Sequence, residues 1–297
     1  MSEKEFYEKI KEGLIKRLGE DTQINLQEVR KNNNVVYKGL IIHRAGSNIA
    51  PTIYMNAFYE MYEEGDSFES IMERVWRVYQ KGELKNTINM EFFADFEKVK
   101  DRIVYRLIHA QKNKELLQDM PHIQFMDLAI CFYYAFYNEE LGDGMIMIHN
   151  NHMEMWGTSH QELMRLAQEN TRKLFPPMFI TLDTIVHEVY EDMEDEWSQT
   201  VSFYVLTNRQ KSHGAASILY PDMLELIAEK LDGNFYILPS SIHEVILFKD
   251  QGEEDEHYLH EMIVDANTSQ LLEEEILSDY PYYYNKSDKK LTQVKTI

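Results

Sequence analysis

The chain has 297 residues, 44% of them hydrophobic and 12% aromatic, enough to bury a substantial core in one large domain or two modest lobes. Its formal net charge of −21 belongs wholly to the second part: residues 1–118 carry 19 Lys/Arg against 19 Asp/Glu, whereas residues 119–297 carry 11 against 32. That field repels phosphate backbones and anionic membranes over about 8 Å, one Debye length in physiological salt, so direct nucleic-acid and membrane binding are disfavoured and a basic protein partner is expected.

The charge step suggests a balanced N-terminal lobe, 1–118, and an acidic C-terminal lobe, 119–297, or one integrated domain. The sole cysteine, Cys131, lies in an apolar run and has no partner for an intrachain disulfide, which fits a reducing cytoplasm. The first residues lack a basic stretch followed by an apolar core, and no apolar run approaches the roughly 18–20 residues that span a bilayer. A cytoplasmic protein is expected.

In chain order, Phe6, Ile10, Leu14 and Leu18 recur every four residues, the stripe of an amphipathic helix that Gly19 ends. A turn at 31–34 precedes a hairpin, 35–42 and 49–55, joined through 45–48. Helices follow at 56–62 and after a Ser67 cap, the second with Phe68, Ile71, Met72, Val75 and Val78 on one face. Residues 91–101 read as helix. Residues 102–109 alternate as a strand, in preference to a continued helix stacking Lys98, Arg102 and Arg106 in a basic stripe.

Residues 126–137 read as a buried strand, 142–144 as a turn, and 145–156 as a returning strand. Ser159 with Glu162 is a capping box that opens a helix over 161–174, stopped by Pro176-Pro177. Residues 179–190 suit strand or helix. Strand 201–207 turns at 212–214 and returns over 215–219; a helix spans 222–231; strands 235–238 and 245–248 flank Pro239-Ser240-Ser241. Three weak hairpin-helix patterns emerge, near 35–62, 126–174 and 201–231. The predicted class is α+β, with antiparallel or mixed sheets built from repeated β-β-α units and helices on one face.

Residues 214–221 (GAASILYP), 235–241 (FYILPSS) and 242–246 (IHEVI) resemble an uncharacterised protein family of gut anaerobic clostridia-type bacteria. Residues 36–56, with GLII and PTIYMN, 113–117 followed by Asp127-Leu128-Ala129, and Ile276-Leu277-Ser278-Asp279 before a tyrosine cluster occur in the same order. The resemblance spans nearly the full chain, and LPSSIHEVI is its most specific element. It implies a bacterial cytoplasmic origin and a single integrated unit, and it carries over no reaction, cofactor or catalytic residue.

Several groups invite chemistry. Ser240, Ser241, His243 and Glu244 supply a nucleophile, a base and an acid within five residues, but an extended stretch would put Ser241 and His243 on one side and Ser240 and Glu244 on the other. No G-x-S-x-G elbow and no glycine-rich phosphate loop occurs. His149 and His152 would fall on opposite faces of a strand, and His257 with His260 needs a helix and a third ligand, so no metal and no cofactor is expected. Asn208 and Arg209, beside His213, form a polar hairpin end able to contact an anion. Glu188, Glu191, Asp192, Glu194, Asp195 and Glu196 form the candidate acidic docking surface.

The function expected from these residues is non-catalytic binding or regulation through an acidic surface that meets a basic protein. The alternatives are an enzyme of unrecognised type with a polar site near Ser241, His243 and Glu244, and a nucleic-acid mimic acting on a defence or replication protein. Oligomeric state is left open by the sequence.

Overall fold

A capping box opens the first helix: Ser2 Oγ accepts from the Glu5 amide (3.4 Å) and Glu5 Oε2 from the Ser2 amide (2.9 Å). Helix α1 (Glu3–Leu18) then buries Phe6, Tyr7, Ile10 and Leu14, the predicted stripe with Tyr7 added. The computed structural model to which it belongs describes residues 1–44, 50–82, 90–138, 142–182, 203–252 and 254–294. The fold is α+β with three antiparallel sheets among the described residues, divided between two units.

The first unit comprises 1–31, 35–91 and 138–142. Its sheet has the order β1 (Gln23–Arg30), β2 (Val36–His43), β3 (Thr52–Tyr54). Ile24 faces Ile42 and Leu40 faces Ile53 across the ladders, so one face is apolar. Helices α2 (Asn56–Glu63) and α3 (Phe68–Gly82) share that core with α1. Phe6 sits at its centre, its ring 5.2–5.9 Å from those of Tyr7, Tyr59, Tyr62 and Phe68. The connection through 45–48 lies outside the described residues. On α3 the step of four from Ile71 through Val75 leads to buried Tyr79, which leaves Val78 45% exposed instead of on the inner face.

The second unit comprises Asn32–Asn34, Phe92–Tyr137 and 143–297, so the charge step at residue 118 falls inside it. Helix α4 (Phe96–Val99) is a single turn flanked by 3₁₀ segments, a more broken path than the continuous helix expected over 91–101. Strands β4 (Ile103–His109), β6 (Leu128–Asn138) and β5 (His122–Phe125) lie in that order, and β7 (Gly142–Met147) pairs with β6. Residues 142–144 therefore start a strand rather than make a turn. Residues 150–156 are also not strand: helix α5 (Asn150–Trp156) begins there and ends at Gly157 in the left-handed region (φ 62°).

Helix α6 (His160–Leu174) is capped by Ser159, whose Oγ accepts from the Glu162 amide (3.2 Å), but the Glu162 carboxylate pairs with Arg165 instead of closing the expected capping box. A six-stranded sheet follows, in the order β13 (Lys290–Gln293), β12 (Tyr282–Asn285), β10 (Phe235–Leu238), β11 (Val245–Lys249), β9 (Phe203–Asn208), β8 (Pro177–Thr181). Helices α7 (Met223–Leu231) and α8 (Glu256–Ser269) complete the unit. The expected return strand over 215–219 is a 3₁₀ segment, Gly214–Leu219, so the third hairpin-helix copy lacks its second strand.

Alternation along β4 and β6 divides the core. Ile103, Tyr105 and Leu107, with Ile130 and Phe132, face the main core shared with α6, α7 and the six-stranded sheet. Val104, Ile108, Cys131 and Tyr133 face a smaller cluster with Leu117 and Met120. Arg106 belongs to this second face by the period of two. Burial pushes the Cys131 thiol up to about 12, so it is an inert core group.

Polar contacts tie distant segments of this unit together. Asp127 accepts from Ser278 Oγ and from the Tyr282 hydroxyl, each at 2.6 Å. Asn33 Nδ2 donates to the carbonyls of Glu273 (2.7 Å) and Ile276 (2.6 Å), while Asn113 Oδ1 accepts from the Asn33 amide (2.8 Å). Leu277 N–H donates to Ser240 O (2.8 Å) and Ser278 N–H to Pro239 O (3.0 Å). These polar groups satisfy backbone groups where distant segments join.

Candidate functional site

The end of β9 makes a tight loop. Asn208 Nδ2 donates to Ser212 O (2.8 Å), and both Lys211 and His213 adopt φ of 52°. Such backbone costs on the order of 1 kcal/mol per residue and here aims His213 inward. Next to it Gly214 packs so closely that an added Cβ would sit 2.2 Å from Thr207 Oγ1, 2.6 Å from the Asn208 nitrogen and 2.7 Å from His243 O. Thr207 Oγ1 in turn donates to His243 O (2.8 Å).

Residues 241–244 form a bend rather than an extended stretch. Ser241 Oγ accepts from the His243 amide (3.0 Å), and Ser241 is bridged to Ile276. His243 Nδ1 accepts from the His213 amide (3.3 Å), while its Nε2 lies 3.6 Å from Glu275 Oε1. The two imidazoles meet edge to face, 5.3 Å between centroids. Burial raises the Glu244 carboxyl above its ordinary range, with His243 and Ser241 opposing. Asn208, Ser241, His213 and His243 thus converge. Ser241 Oγ and His243 Nδ1 nevertheless each receive a backbone amide rather than one another, so this serine and histidine are not paired for nucleophilic attack.

The charged group beside this loop is Arg106, which the sequence placed on a strand and in no candidate site. Its Nη1 lies 3.0 Å from His213 Nε2, and the guanidinium carbon sits 4.7 Å from the Tyr133 ring centroid. Because guanidinium only donates, His213 Nε2 accepts and its Nδ1–H faces Ser212 Oγ (2.9 Å). Burial lowers Arg106 to about 10 and leaves it charged, with no carboxylate against it among the described residues; its Nε is buried without a partner. Burial, then Arg106, then His243 push His213 down to about 3.

Arg106 opens on a cavity of about 300 Å³. Arg102, Gln210 and Ser212 add further polar groups to its wall, and Phe136, Met145, Leu174 and Phe175 supply the apolar part. Arg102 is anchored through Nε to Ala135 O (2.5 Å), and Gln210 Nε2 to Leu174 O (3.1 Å). Asp143, at the start of β7, completes the rim. The volume is at the low end of small-molecule sites, roughly 300–1,000 Å³.

The other predicted groups separate from this cavity. Arg209 is exposed, its amide donating to Pro176 O (3.0 Å), and Ser240 serves through its carbonyl. His149 and His152 are adjacent on the first turn of α5, where the His149 amide donates to His152 Nδ1 (3.0 Å), so they do not diverge as on a strand. His149 Nδ1 pairs with Asp119 (2.8 Å). His257 and His260 do lie on a helix, α8, where His260 Nδ1 contacts Asp279 O (2.7 Å). Among the described residues no three potential ligands cluster as a metal site, and no helix is long and apolar enough to cross a membrane. The acidic docking surface, Glu188 to Glu196, lies outside the described residues.

Comparison with curated proteins and with solved structures finds no match in either set. Residues 3–286, which include the whole polar loop, Arg106 and the Asp127 contacts, match the profile of a family of unknown function, DUF5688, and the chain belongs to that family.

Proposed function

We propose that the chain is a non-catalytic binding or regulatory protein of a bacterial cytoplasm, and that it takes a small organic anion against Arg106. One observation carries this reading: the half-buried Arg106, with no carboxylate paired to it among the described residues, contributes to the wall of a small cavity. A cation partly withdrawn from water without an anion is poorly compensated, and a carboxylate ligand supplies the missing charge through charge-assisted hydrogen bonds. Arg102, Gln210 and Ser212 add donors on the same wall. The engagement of Ser241 and His243 with backbone favours binding over hydrolysis.

Titration calorimetry with isocaproate and with inorganic phosphate tests it, alongside Arg106→Met. The wild type should bind isocaproate. The variant should lose binding while its unliganded stability stays level or rises by about 1 kcal/mol, since a partly buried charge without a carboxylate is gone. A wild type that binds neither probe, with a variant that unfolds more easily, would make Arg106 a purely structural group.

A second reading keeps the basic protein partner. The outward side of α8 exposes Asp255, Glu256, Glu261 and Asp265, with Tyr258 59% exposed and Met262 beside them. Acidic charge around an aromatic anchor suits a cationic partner surface. A captured basic protein should show an on-rate that falls steeply with salt and drops further in Glu261→Lys; salt-independent binding or no capture at low ionic strength argues against this surface.

A further inference from the structure

We infer that the ligand of the Arg106 cavity is an α-amino acid with an apolar side chain, an inference that rests on the anion reading above. The cavity is chemically sided. Arg102 and Arg106 present cationic donors, and guanidinium geometry suits a carboxylate. Asp143 places a carboxylate on the rim, and no described side chain pairs with it. Phe136, Met145, Leu174 and Phe175 line the remainder with apolar surface.

Each part selects against a simpler ligand. Inorganic phosphate would leave the apolar walls in contact with water and face Asp143 with like charge. An apolar carboxylic acid would satisfy the arginines and the walls but leave the rim carboxylate unmet. A zwitterion with an aliphatic or aromatic body places carboxylate on the arginines, ammonium on Asp143 and side chain on the walls. It also carries no net charge, so the field of a chain with net charge −21 does not oppose its approach. The cavity volume of about 300 Å³ suits a single small metabolite rather than a peptide.

Titration calorimetry on the full chain with L-leucine, isocaproate, which lacks the amine, and isoamylamine, which lacks the carboxylate, separates these possibilities. L-leucine should bind roughly tenfold more tightly than isocaproate, and isoamylamine should not bind. Asp143→Asn should bring L-leucine down to the isocaproate level and leave isocaproate unchanged; Asp143 is exposed, and a thermal melt confirms that the variant folds. Isocaproate binding that requires Arg106, with L-leucine no tighter, overturns this inference and leaves the anion reading standing. Loss of response to every probe overturns both.

Discussion

Replacing Gly214 by alanine should destabilise the protein by about 3 kcal/mol, seen as a lower urea midpoint with an unchanged slope. Of the three atoms that the new Cβ would strike, two are backbone: the Asn208 nitrogen at 2.6 Å and His243 O at 2.7 Å. A flexible side chain could swing away, but these belong to β9 and to the bend that leads into β11. The third, Thr207 Oγ1 at 2.2 Å, is held by its bond to His243 O. Relief therefore means moving the six-stranded sheet away from the Gly214–Leu219 segment, which also carries the buried Ala215 and Ile218. Because this loop positions His213 and Ser212, the variant should lose ligand affinity along with stability. A Gly214→Ala protein as stable as the wild type would mean that β9 and the 241–246 segment do not approach each other in this way.

Stability should fall by a few kcal/mol as pH drops from about 7 to about 4, with His213 as a main contributor. Its folded value, about 3, lies below the ordinary 6.5 expected when unfolded. Between those values the unfolded chain binds more protons, so stability rises with pH across that window and is fully present above about 6.5. The cause is geometric: protonation would put a second cation against Arg106 and require Nε2 to stop accepting. His109 and His152 are also lowered by burial and add slope of the same sign. Glu244, raised by burial, works in the opposite sense, losing stability as pH climbs past its ordinary value of 4.5. His213→Gln should flatten the acid side of the urea-midpoint profile relative to wild type. An identical slope in the variant would remove His213 from the account.

Helices with a stripe and a cap were legible in the sequence because both signals are local: α1 from Phe6, Ile10 and Leu14, and α6 from Ser159 with Glu162. Strand β4 was legible from alternation. Strand β1 was missed, since QINLQEVR buries only Ile24 fully and reads as polar. Residues 145–156 misled because the alternating end of β7 runs into α5 with a single residue pair between them, and methionine and histidine suit either state. Residues 215–219 looked like a strand because they are apolar and short; tertiary packing around Gly214 makes Gly214–Leu219 a 3₁₀ segment.

The cavity was less legible than the fold for a physical reason. Asn208, His213, Ser241 and His243 were singled out as polar residues near turns, and they do meet. The cation beside them is Arg106, 107 positions before His213. No spacing rule reports a contact at that distance. The available signal was the charge itself: an arginine midway along RIVYRLIH, with apolar residues on both sides, is a cation carried partly out of water.

Arginine side-chain NMR during titration with isocaproate tests the central claim most directly, because it observes the guanidinium instead of inferring it from affinity. The Arg106 Nε–Hε resonance should shift saturably, Arg102 should respond with it, and Arg165, elsewhere on α6, should stay still. An Arg106 resonance that remains unmoved at a concentration where other arginines drift uniformly would contradict an anion site at this residue.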